Sequence, residues 1–388
     1  MMAPPLDGIK VLDLSRVLAG PTCTQTLADL GAEVWKIEPP GKGDDTRGWM
    51  PPEVEGESTY FMCCNRSKKS VALDLKSQEG RAAVQALARN ADVLVENFRQ
   101  GALDAFGLDY ETLSADNRRL IYCSISGYGR TGPRAGEGGY DFTIQAESGL
   151  MAITGEPEGE PMKLGVAITD IATGMNAVQA ILAALFARER TGRGQHLDLA
   201  LFDSAVALLA NVASGYLQTG REPSRYGNAH ATVVPYQLFD TMDGTLALAC
   251  GNDGQFLALC EVLGRTDLAR DERFIRNRSR VENRDTLIPE LQAAFLTRGT
   301  DEWISLLRKA KVPVGSVRSV SEVFSAADVL ERGLVTTVPD AVHGQLSLVR
   351  SPLRFSETPL HTPVAPPRLG DNTEEVLAAH GINLGASK

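Results

Sequence analysis

Short apolar segments alternate with helical patterns through the first half of the chain, and this alternation restricts the possible folds more than any other feature. Strand-like segments lie at residues 9–14, 33–37, 70–74, 92–96 and 120–126, and helical patterns at residues 22–30 and 78–90 separate several of them. Further helices are predicted at about residues 171–190 and at residues 201–216. Strands that alternate with helices pair in parallel and are covered by helices on both faces of the sheet. The sequence therefore predicts a doubly wound α/β domain.

The pattern changes after Gly220. The stretch REPSRYGNAHATVVPY contains arginines, glycine and prolines but no helical period, and we interpret it as a linker. Strands at residues 236–240 and 245–249, helices to about residue 309 and a strand at 313–317 then predict a second, smaller α+β domain. We expect residues 1–218 to form the first part of a large domain, residues 219–330 the linker and small domain, and residues 331–388 a return to the large domain.

Composition excludes several classes of protein. The formal net charge of −10 argues against a nucleic-acid binder, which needs a basic face. The most apolar stretch, residues 177–187, is shorter than the roughly 20 residues of a membrane span, and the N-terminal residues lack the pattern of a secretory signal. The six cysteines have no metal-ligand spacing, so we expect no metal site. These features predict a cytoplasmic protein that binds neither membranes nor nucleic acid.

Three familiar motifs are incomplete or lack the structural context that their function requires. Gly127, Gly129 and Gly132 form a G-x-G-x-x-G pattern, but Pro133 follows where a dinucleotide-binding helix should begin. The sequence around Lys42 lacks the upstream glycine and the Ser or Thr of a phosphate-binding loop. The five histidines do not cluster, and no G-x-S-x-G segment is present. Binding of NAD, use of ATP and a serine hydrolase triad are therefore unsupported.

Basic residues are concentrated near the ends of two neighbouring predicted strands. Arg66, Lys68, Lys69 and Lys76 flank one strand, and Arg99 follows the next. In an acidic α/β protein, such a cluster indicates an anion site in the crevice at the strand ends, suited to a phosphate-bearing ligand. A solvated charged surface is the alternative interpretation.

Asp170, in GVAITDIATGM, lies between an apolar run and a helix that we predict to begin at residue 171. One role for an aspartate at such a position is to cap the helix. Another is to act as a nucleophile, since a helix N-terminus keeps a carboxylate ionised. The two roles are compatible.

Eight segments in order, spread over nearly the whole chain, resemble the class III CoA-transferases, the family of formyl-CoA transferase and crotonobetainyl-CoA:carnitine CoA-transferase. The segments are VLDLSRVLAGP, KIEPPGKGDDTR, NRSKKSVALDLK, DVLVENFRQGALDAFGLDY, SISGYGRTGP, GVAITDIATGM, ERTGRGQHLDLALFDS and LGDNTEEVL. The resemblance implies a Rossmann-like large domain built from both chain ends, a small domain from the middle, and an interlocked homodimer.

The resemblance also implies a mechanism and a set of contacts. Asp170 takes the place of the catalytic aspartate, which forms mixed anhydride and aspartyl-CoA thioester intermediates with acyl-CoA as a substrate and without a tightly bound cofactor. Gly138 and Gly139 are candidate hinges for a closing loop, and N–H groups after Asp170 are candidate oxyanion donors. The implied contacts to CoA are Leu18, Ala19, Leu73, Asp74, Leu75, Lys76, Asn97, Phe98 and Tyr140.

Some positions depart from formyl-CoA transferase. Leu18 replaces a glutamine and Ala105 an arginine, so formate and oxalate are poor substrate candidates, and we expect Arg99 to supply the missing charge. In the acyl-CoA racemases of the same superfamily a histidine would stand at Tyr140, which favours transfer over racemisation. An acyl-CoA racemase or isomerase and a non-catalytic CoA-binding protein remain the alternatives.

The acid substrate is predicted from the linker. Arg225 and His230, with Tyr226 and Asn228 between them, offer a cation and several hydrogen-bonding groups to a second carboxylate. We therefore expect a dicarboxylate of about four to six carbons, with succinyl-CoA as donor. The alternative is that these residues only brace the linker.

Overall fold

The computed structural model describes residues 2–383. Within this range the strands are β1 (Lys10–Asp13), β2 (Glu33–Glu38), β3 (Glu53–Val54), β4 (Glu57–Ser58), β5 (Lys69–Ala72), β6 (Val93–Glu96), β7 (Ile121–Ser126), β8 (His196–Ala200), β9 (Tyr236–Asp240), β10 (Thr245–Ala249), β11 (Val314–Ser316), β12 (Val335–Asp340) and β13 (Gly344–Val349).

The α-helices in the same range are α1 (Ala19–Asp29), α2 (Thr59–Cys63), α3 (Gln78–Asn90), α4 (Tyr110–Asp116), α5 (Asp141–Glu147), α6 (Leu150–Ile153), α7 (Ile168–Thr191), α8 (Leu201–Leu208), α9 (Ala210–Thr219), α10 (Asp253–Leu263), α11 (Thr266–Arg270), α12 (Asn277–Glu282), α13 (Arg284–Phe295), α14 (Thr300–Lys309), α15 (Val320–Ser325), α16 (Ala327–Glu331) and α17 (Thr373–Ala379). Short 3₁₀ turns lie at Asp45–Gly48 and Asp104–Phe106.

Six strands form one parallel sheet in the order β5, β2, β1, β6, β7, β8. The chain starts at β1 and adds β2 and β5 on one side, and later β6, β7 and β8 on the other. The strand order therefore reverses between β1 and β6. In open α/β sheets, such a reversal opens a crevice at the carboxyl ends of the strands, where ligands bind.

Alternating residues of the central strands supply a core on each face of this sheet. Val11 packs with residues of α1 and α7, such as Leu27 and Ile181. Its neighbour Leu12 faces the other way, toward α3 and α17. Both residues are completely buried. Burial on both faces explains why these strands are continuously apolar rather than alternating apolar and polar.

The chain divides into two compact units. The first contains the residues up to Leu150, Lys163–Gly220 and the chain from Ala327 onward, and the second contains Met151–Met162 and Arg221–Ala326. From the sequence we predicted domain boundaries at 218/219 and 330/331 and assigned residues 151–162 to the large domain. The structure groups that segment with the second unit.

The C-terminal part of the chain joins the first unit at its β5 edge. The Ser70 N–H donates to Asn372 Oδ1 (3.1 Å), and the Ala72 N–H donates to Thr373 Oγ1 (2.9 Å). Lys69 pairs with Glu375 at 2.7 Å. Side chains at the start of α17 therefore satisfy backbone donors that an edge strand would otherwise expose.

In the second unit, β11, β10 and β9 form an antiparallel sheet. The strands predicted at 236–240 and 245–249 are confirmed residue for residue. Phe239, Phe256, Phe295 and Trp303 are buried in the core between this sheet and its helices.

Two helix predictions in the first unit are wrong in detail. The helix expected from residue 171 begins at Ile168, which makes Asp170 its third residue. The single helix expected over residues 201–216 is broken between Leu208 and Ala210, where Ala210 has a φ of +44°.

The helix α7 extends beyond the apolar stretch at residues 177–187 that we considered as a membrane span. Its 24 residues are long and apolar enough to cross a bilayer by length and composition alone. Core helices of globular proteins pass the same test, and Ala177, Ile181 and Ala184 of α7 are buried against the sheet. Other apolar residues of α7, Met175, Leu182 and Phe186, are exposed.

Candidate active site

A cavity of about 190 Å³ lies in the first unit at the carboxyl ends of β1, β6 and β7. Residues at or shortly after the ends of these strands line it, together with the starts of α1, α5 and α7. The first cavity thus occupies the crevice at the strand-order reversal. The predicted residues that line it are Leu18, Ala19, Asn97, Phe98, Arg99, Tyr140 and Asp170.

A second cavity, of about 230 Å³, lies at the ends of β2 and β5. Leu73, Asp74, Leu75 and Lys76 line it, which are the remaining residues predicted to contact CoA. Arg16 and Phe98 line both cavities. The two cavities are therefore neighbours, and together they form an extended site suited to a long ligand.

Arg16, which the sequence analysis overlooked, stands where the two cavities meet. Its guanidinium lies over the Phe98 ring, 5.3 Å from the centroid, and pairs with Asp45 at 3.2 Å. Its buried Nε has no hydrogen-bond partner among the residues that the structure describes. An arginine with a spare donor at this position is suited to a phosphate group.

Asp170 does not cap α7. The helix starts at Ile168, and the cap is supplied by Asp141, whose Oδ1 accepts hydrogen bonds from the N–H and Oγ1 of Thr169, both at 2.8 Å. Asp141 Oδ2 accepts from Gln145 at 2.7 Å. Between residues 2 and 383, no group donates a hydrogen bond to the Asp170 carboxylate, so its oxygens are available to react.

The Asp170 carboxyl is half-buried and borders the first cavity. Burial, and then the negative charge of Asp141, raise its pKa from 3.8 to about 7. Tyr60 lies close by, and burial followed by the charge of Asp170 raises the Tyr60 pKa to about 12. The ring of Tyr60 meets that of Trp49 edge-on at 5.0 Å. An ionised carboxylate in such a setting is more basic than a solvated one.

The start of α1 brings backbone N–H groups to the same cavity. Val17, just before the helix, has a φ of +71°, a strained conformation for a β-branched residue. Its N–H lies 3.3 Å from each carboxylate oxygen of Asp44, and the buried Lys36 ammonium pairs with Asp44 at 2.9 Å. The first N–H groups of a helix lack intrahelical partners, and no side chain caps α1 at Leu18. These donors are suited to an anion or an oxyanion.

A glycine holds the starts of α1 and α7 together. A Cβ at Gly174, one turn after Asp170, would lie 2.7 Å from the Ala19 carbonyl oxygen. Only glycine allows this approach. It fixes the distance between the nucleophile candidate and the α1 donors.

A similar contact involves one of the two predicted hinge glycines. A Cβ on Gly127 would lie 2.6 Å from the Gly139 backbone nitrogen, and a Cβ on Gly139 would lie 2.9 Å from the Gly127 Cα. Gly139 is thus part of a close-packed backbone contact rather than a free pivot. Gly138 lies beside Arg99, because a Cβ on Gly138 would lie 3.9 Å from the guanidinium nitrogens Nε and Nη2.

Comparison with known proteins identifies the family. The family model described as CoA-transferase family III matches residues 6–373 of the sequence. The chain belongs to this family. Over 381 residues this CoA-transferase is 46% identical to a succinate–glutarate CoA-transferase of Agrobacterium fabrum, covering 97% of this chain and 95% of that protein.

Two further relatives extend the comparison. The CoA-transferase is 41% identical to an acetyl-CoA:oxalate CoA-transferase of Acetobacter aceti, covering 93% of this chain and 92% of that protein. Its fold matches the crystal structure of a CAIB/BAIF family protein from Brucella suis with a TM-score of 0.87 at 47% identity, covering 98% and 100% of the two chains. The resemblance inferred from the eight segments is confirmed, and the enzyme moves CoA from an acyl-CoA to a small carboxylic acid.

The guanidinium of Arg225, which we expected to grip a carboxylate, is engaged with the backbone of the CoA-transferase. All three guanidinium nitrogens of Arg225 donate to backbone carbonyl oxygens, the shortest bond being 2.7 Å to Gly159. The acceptors all lie in or next to the segment Met151–Met162, so Arg225 fastens this segment within the second unit. With these donors engaged, Arg225 is not a free clamp for a carboxylate.

His230 also belongs to the second unit. Its Nδ1 accepts a hydrogen bond from the Thr232 N–H at 3.1 Å, and its ring lies 5.3 Å from that of Tyr236. Nε2 remains available. Neither Arg225 nor His230 lines the two cavities of the CoA-transferase.

The sequence contains little information that would predict the site residues absent from our expectations. Asp141 directly follows Tyr140 in the sequence, but nothing local links it to Thr169. The left-handed conformation of Val17 is held by Asp44 and Lys36, which lie on other elements. Arg16 could have been found, because it lies three residues after β1, as Arg99 lies three residues after β6.

Proposed function

We propose that the enzyme transfers CoA from succinyl-CoA to a small dicarboxylate and that Asp170 carries the group as a covalent intermediate. The observation that carries the mechanism is the uncapped, half-buried Asp170 carboxylate at the cavity beside the start of α1. A carboxylate nucleophile allows the thioester energy to be kept in covalent bonds, so no ATP is required.

The first half-reaction has two steps. An Asp170 oxygen attacks the thioester carbonyl, the C–S bond breaks, and a mixed anhydride and CoA thiolate result. The thiolate then attacks the aspartyl carbonyl, the anhydride C–O bond breaks, and the first acid leaves as a carboxylate. An incoming carboxylate reverses both steps and regenerates Asp170. N–H groups at Leu18 and Ala19 are our candidates for stabilising the oxyanions.

The extended site supports a placement for CoA. We propose that the second cavity, lined by Leu73 to Lys76, holds one end of CoA and that the thioester reaches Asp170 in the first cavity. Arg16 and Arg99 would contact phosphates. Arg99 has no ion-pair partner among the described residues, which leaves its charge available.

The names of the relatives support a dicarboxylate. Succinate, glutarate and oxalate, the acids in those names, all carry two carboxylates. The oxalate enzyme weakens our expectation that oxalate is a poor substrate. The residue that grips the second carboxylate is unassigned, since Arg225 is engaged elsewhere.

The test of the mechanism is Asp170→Ala. This variant should fold and bind CoA, while transfer falls by at least about 1,000-fold because no other group carries the acyl unit. Enzyme mixed with succinyl-CoA alone should carry a CoA adduct on the peptide containing Asp170, detected by mass spectrometry. Asp203→Ala, an aspartate of α8 outside the cavity lining, is the control. Activity above a few per cent in Asp170→Ala would refute the mechanism.

A substrate panel tests the acid. With succinyl-CoA as donor, glutarate should be used at least about 100-fold better than pentanoate, because a site built for a second carboxylate leaves polar groups unpaired without it. Oxalate and succinate complete the series. Equal use of monocarboxylates would contradict the dicarboxylate assignment. Exchange of the α-hydrogen with deuterated solvent without an acceptor acid would indicate racemisation, and binding of CoA without turnover a non-catalytic protein.

We also propose that the enzyme is a cytoplasmic, interlocked homodimer with a Rossmann-like large domain. The strand-order reversal supports the domain type. The exposed stripe of Met175, Leu182 and Phe186 on α7 supports a partner surface, because residues seven and eleven positions apart share one helix face.

A further inference from the structure

Two carboxylates lie at the start of α7, and they have different surroundings. Asp141 accepts three hydrogen bonds, two from Thr169 and one from Gln145. Both oxygens of the Asp141 carboxylate are therefore engaged. Asp170, one residue beyond Thr169, accepts none within residues 2–383.

We propose that Asp141 is a positioning residue for transfer: it holds the first turn of α7 in place and, by its charge, favours the uncharged acyl and thioester forms of Asp170. This inference rests on the proposed function, because it concerns the covalent chemistry of Asp170. Asp141 itself need not touch the substrate.

The positioning part follows from the hydrogen bonds. An aspartate in the first turn of a helix commonly folds back onto the free N–H groups there. Asp141 takes the N–H and hydroxyl of Thr169, so Asp170 is left without that role. A carboxylate engaged with several donors is a weaker nucleophile than one that is free.

The electrostatic part follows from the charge balance of the reaction. When an Asp170 oxygen bonds to the acyl carbon, the negative charge passes to the CoA thiolate, and Asp170 becomes neutral. Repulsion from Asp141 acts on the ionised carboxylate but not on the anhydride or thioester. Burial is the larger cause of the raised Asp170 pKa, and Asp141 is the second.

Other charged and titratable groups surround Asp170. The cavity lining contributes Arg16, Asp45, Arg99, Glu137 and Tyr140, and Tyr60 lies nearby. The elements packed against α7 carry further groups, namely Cys23 and Asp29 on α1, Glu147 on α5, Tyr122 and Cys123 on β7, His196 and Asp198 on β8, and Asp203 on α8. None of these groups contributes to the raised pKa of Asp170, which has burial as its larger cause and the charge of Asp141 as its second.

The experiment compares Asp141→Asn with Asp109→Asn. Asn retains an oxygen to accept from Thr169 but removes the charge. Asp109 is a matched control because it caps α4 through the N–H (2.9 Å) and hydroxyl (2.7 Å) of Thr112 and does not line either cavity. The acid limb of kcat/KM should move down by about one pH unit in Asp141→Asn, and stay in place in Asp109→Asn.

A second readout is the enzyme-CoA thioester. With succinyl-CoA alone, the fraction of enzyme trapped as the Asp170 thioester should fall at least about threefold in Asp141→Asn, because neutralising Asp170 no longer relieves repulsion. If Asp141→Asn does not fold, Asp141→Ser replaces it, since serine caps a helix without charge. An acid limb and a thioester fraction that both match wild type would overturn the inference.

The same series separates this inference from the proposed function. If Asp170→Ala retains turnover, the covalent mechanism fails and the inference fails with it. If Asp170→Ala is inactive while the charge-removing variant at Asp141 keeps the wild-type pH profile and thioester fraction, the mechanism stands and the role of Asp141 alone is wrong.

Discussion

At the scale of single residues, the reactivity of Asp170 depends on the hydrogen bonds and ion pairs that its neighbours do not make to its carboxylate. Asp141 accepts hydrogen bonds at the start of α7, and within the part of the chain that the structure describes the Asp170 carboxylate has neither a hydrogen-bond donor nor an ion-pair partner. Burial then makes its ionised form costly. A residue in this condition is a candidate for function and a cost to stability.

We expect Asp170→Asn to stabilise the protein at alkaline pH. A pKa raised from 3.8 to about 7 means that ionising Asp170 opposes folding. This loss in the free energy of unfolding begins as the pH rises above 3.8 and is complete above about 7. It is at most about 4 kcal/mol, and roughly 2 kcal/mol after allowance for solvent screening. Urea denaturation at pH 8 should therefore favour Asp170→Asn by roughly 2 kcal/mol.

The pH dependence provides the check. At pH 5.5 the advantage of Asp170→Asn should shrink to about half, because less of the wild-type carboxyl is ionised there in the folded state than in the unfolded state. The control Asp109→Asn should destabilise, because hydrogen bonds from Thr112 lower the pKa of Asp109 despite some burial. An advantage that grew toward acid pH would contradict the raised pKa of Asp170.

The sequence predicted the reactive residue but not the reason for its availability. Asp170 could be proposed because it precedes a helical pattern and lies in a recognisable segment. Its freedom from capping depends on Asp141, which reaches Thr169 from another helix. Arg225 illustrates the opposite error. Its charge suggested a ligand, but the structure engages its guanidinium with carbonyl oxygens of a distant segment.

At the scale of elements, the site depends on two helix starts that approach closely. Gly174 of α7 packs against the Ala19 carbonyl of α1, and Val17 takes a strained conformation just before α1. Strand ends were predictable, because apolar runs mark parallel strands. The close approach of α7 to α1 was not predictable, because a glycine such as Gly174 within a helical pattern indicates only low helix propensity.

Gly174→Ala should reverse the usual effect of such a change. In an open helix position, replacing Gly by Ala stabilises by up to about 1 kcal/mol. At Gly174 the new methyl would meet the Ala19 oxygen at 2.7 Å, so α7 must shift away from α1. We expect a loss of stability of roughly 1–3 kcal/mol and a fall in kcat, measured by urea denaturation and steady-state kinetics.

The matched control is Gly215→Ala in α9, where an added Cβ would meet no described atom outside the backbone of its own helix within 4 Å. This variant should gain stability or remain unchanged, with normal activity. If Gly174→Ala behaves like Gly215→Ala, the close approach of α1 and α7 does not position the site.

At the scale of the whole molecule, segments far apart in the sequence form each unit. The first unit takes its edge cover from Asn372 and Thr373, some 300 residues after the strand that they cover. The linker after Gly220 was predicted from the sequence. The membership of Met151–Met162 in the second unit was not, because it depends on hydrogen bonds to Arg225 rather than on a composition change.

The last prediction concerns assembly. Phe186, on the apolar stripe of α7, is 68% exposed in the single chain, and we expect a second subunit to cover it. Interlocked subunits cannot separate without partial unfolding, so the dimer should persist on dilution to nanomolar concentration in mass photometry. Phe186→Glu should reduce the dimer or the yield of folded protein, whereas Met242→Glu, equally exposed at 68% in the second unit, should leave both unchanged. Monomers that accumulate as wild-type enzyme is diluted, or a Phe186→Glu dimer as stable as the control, would show that this stripe is not a subunit interface of an interlocked dimer.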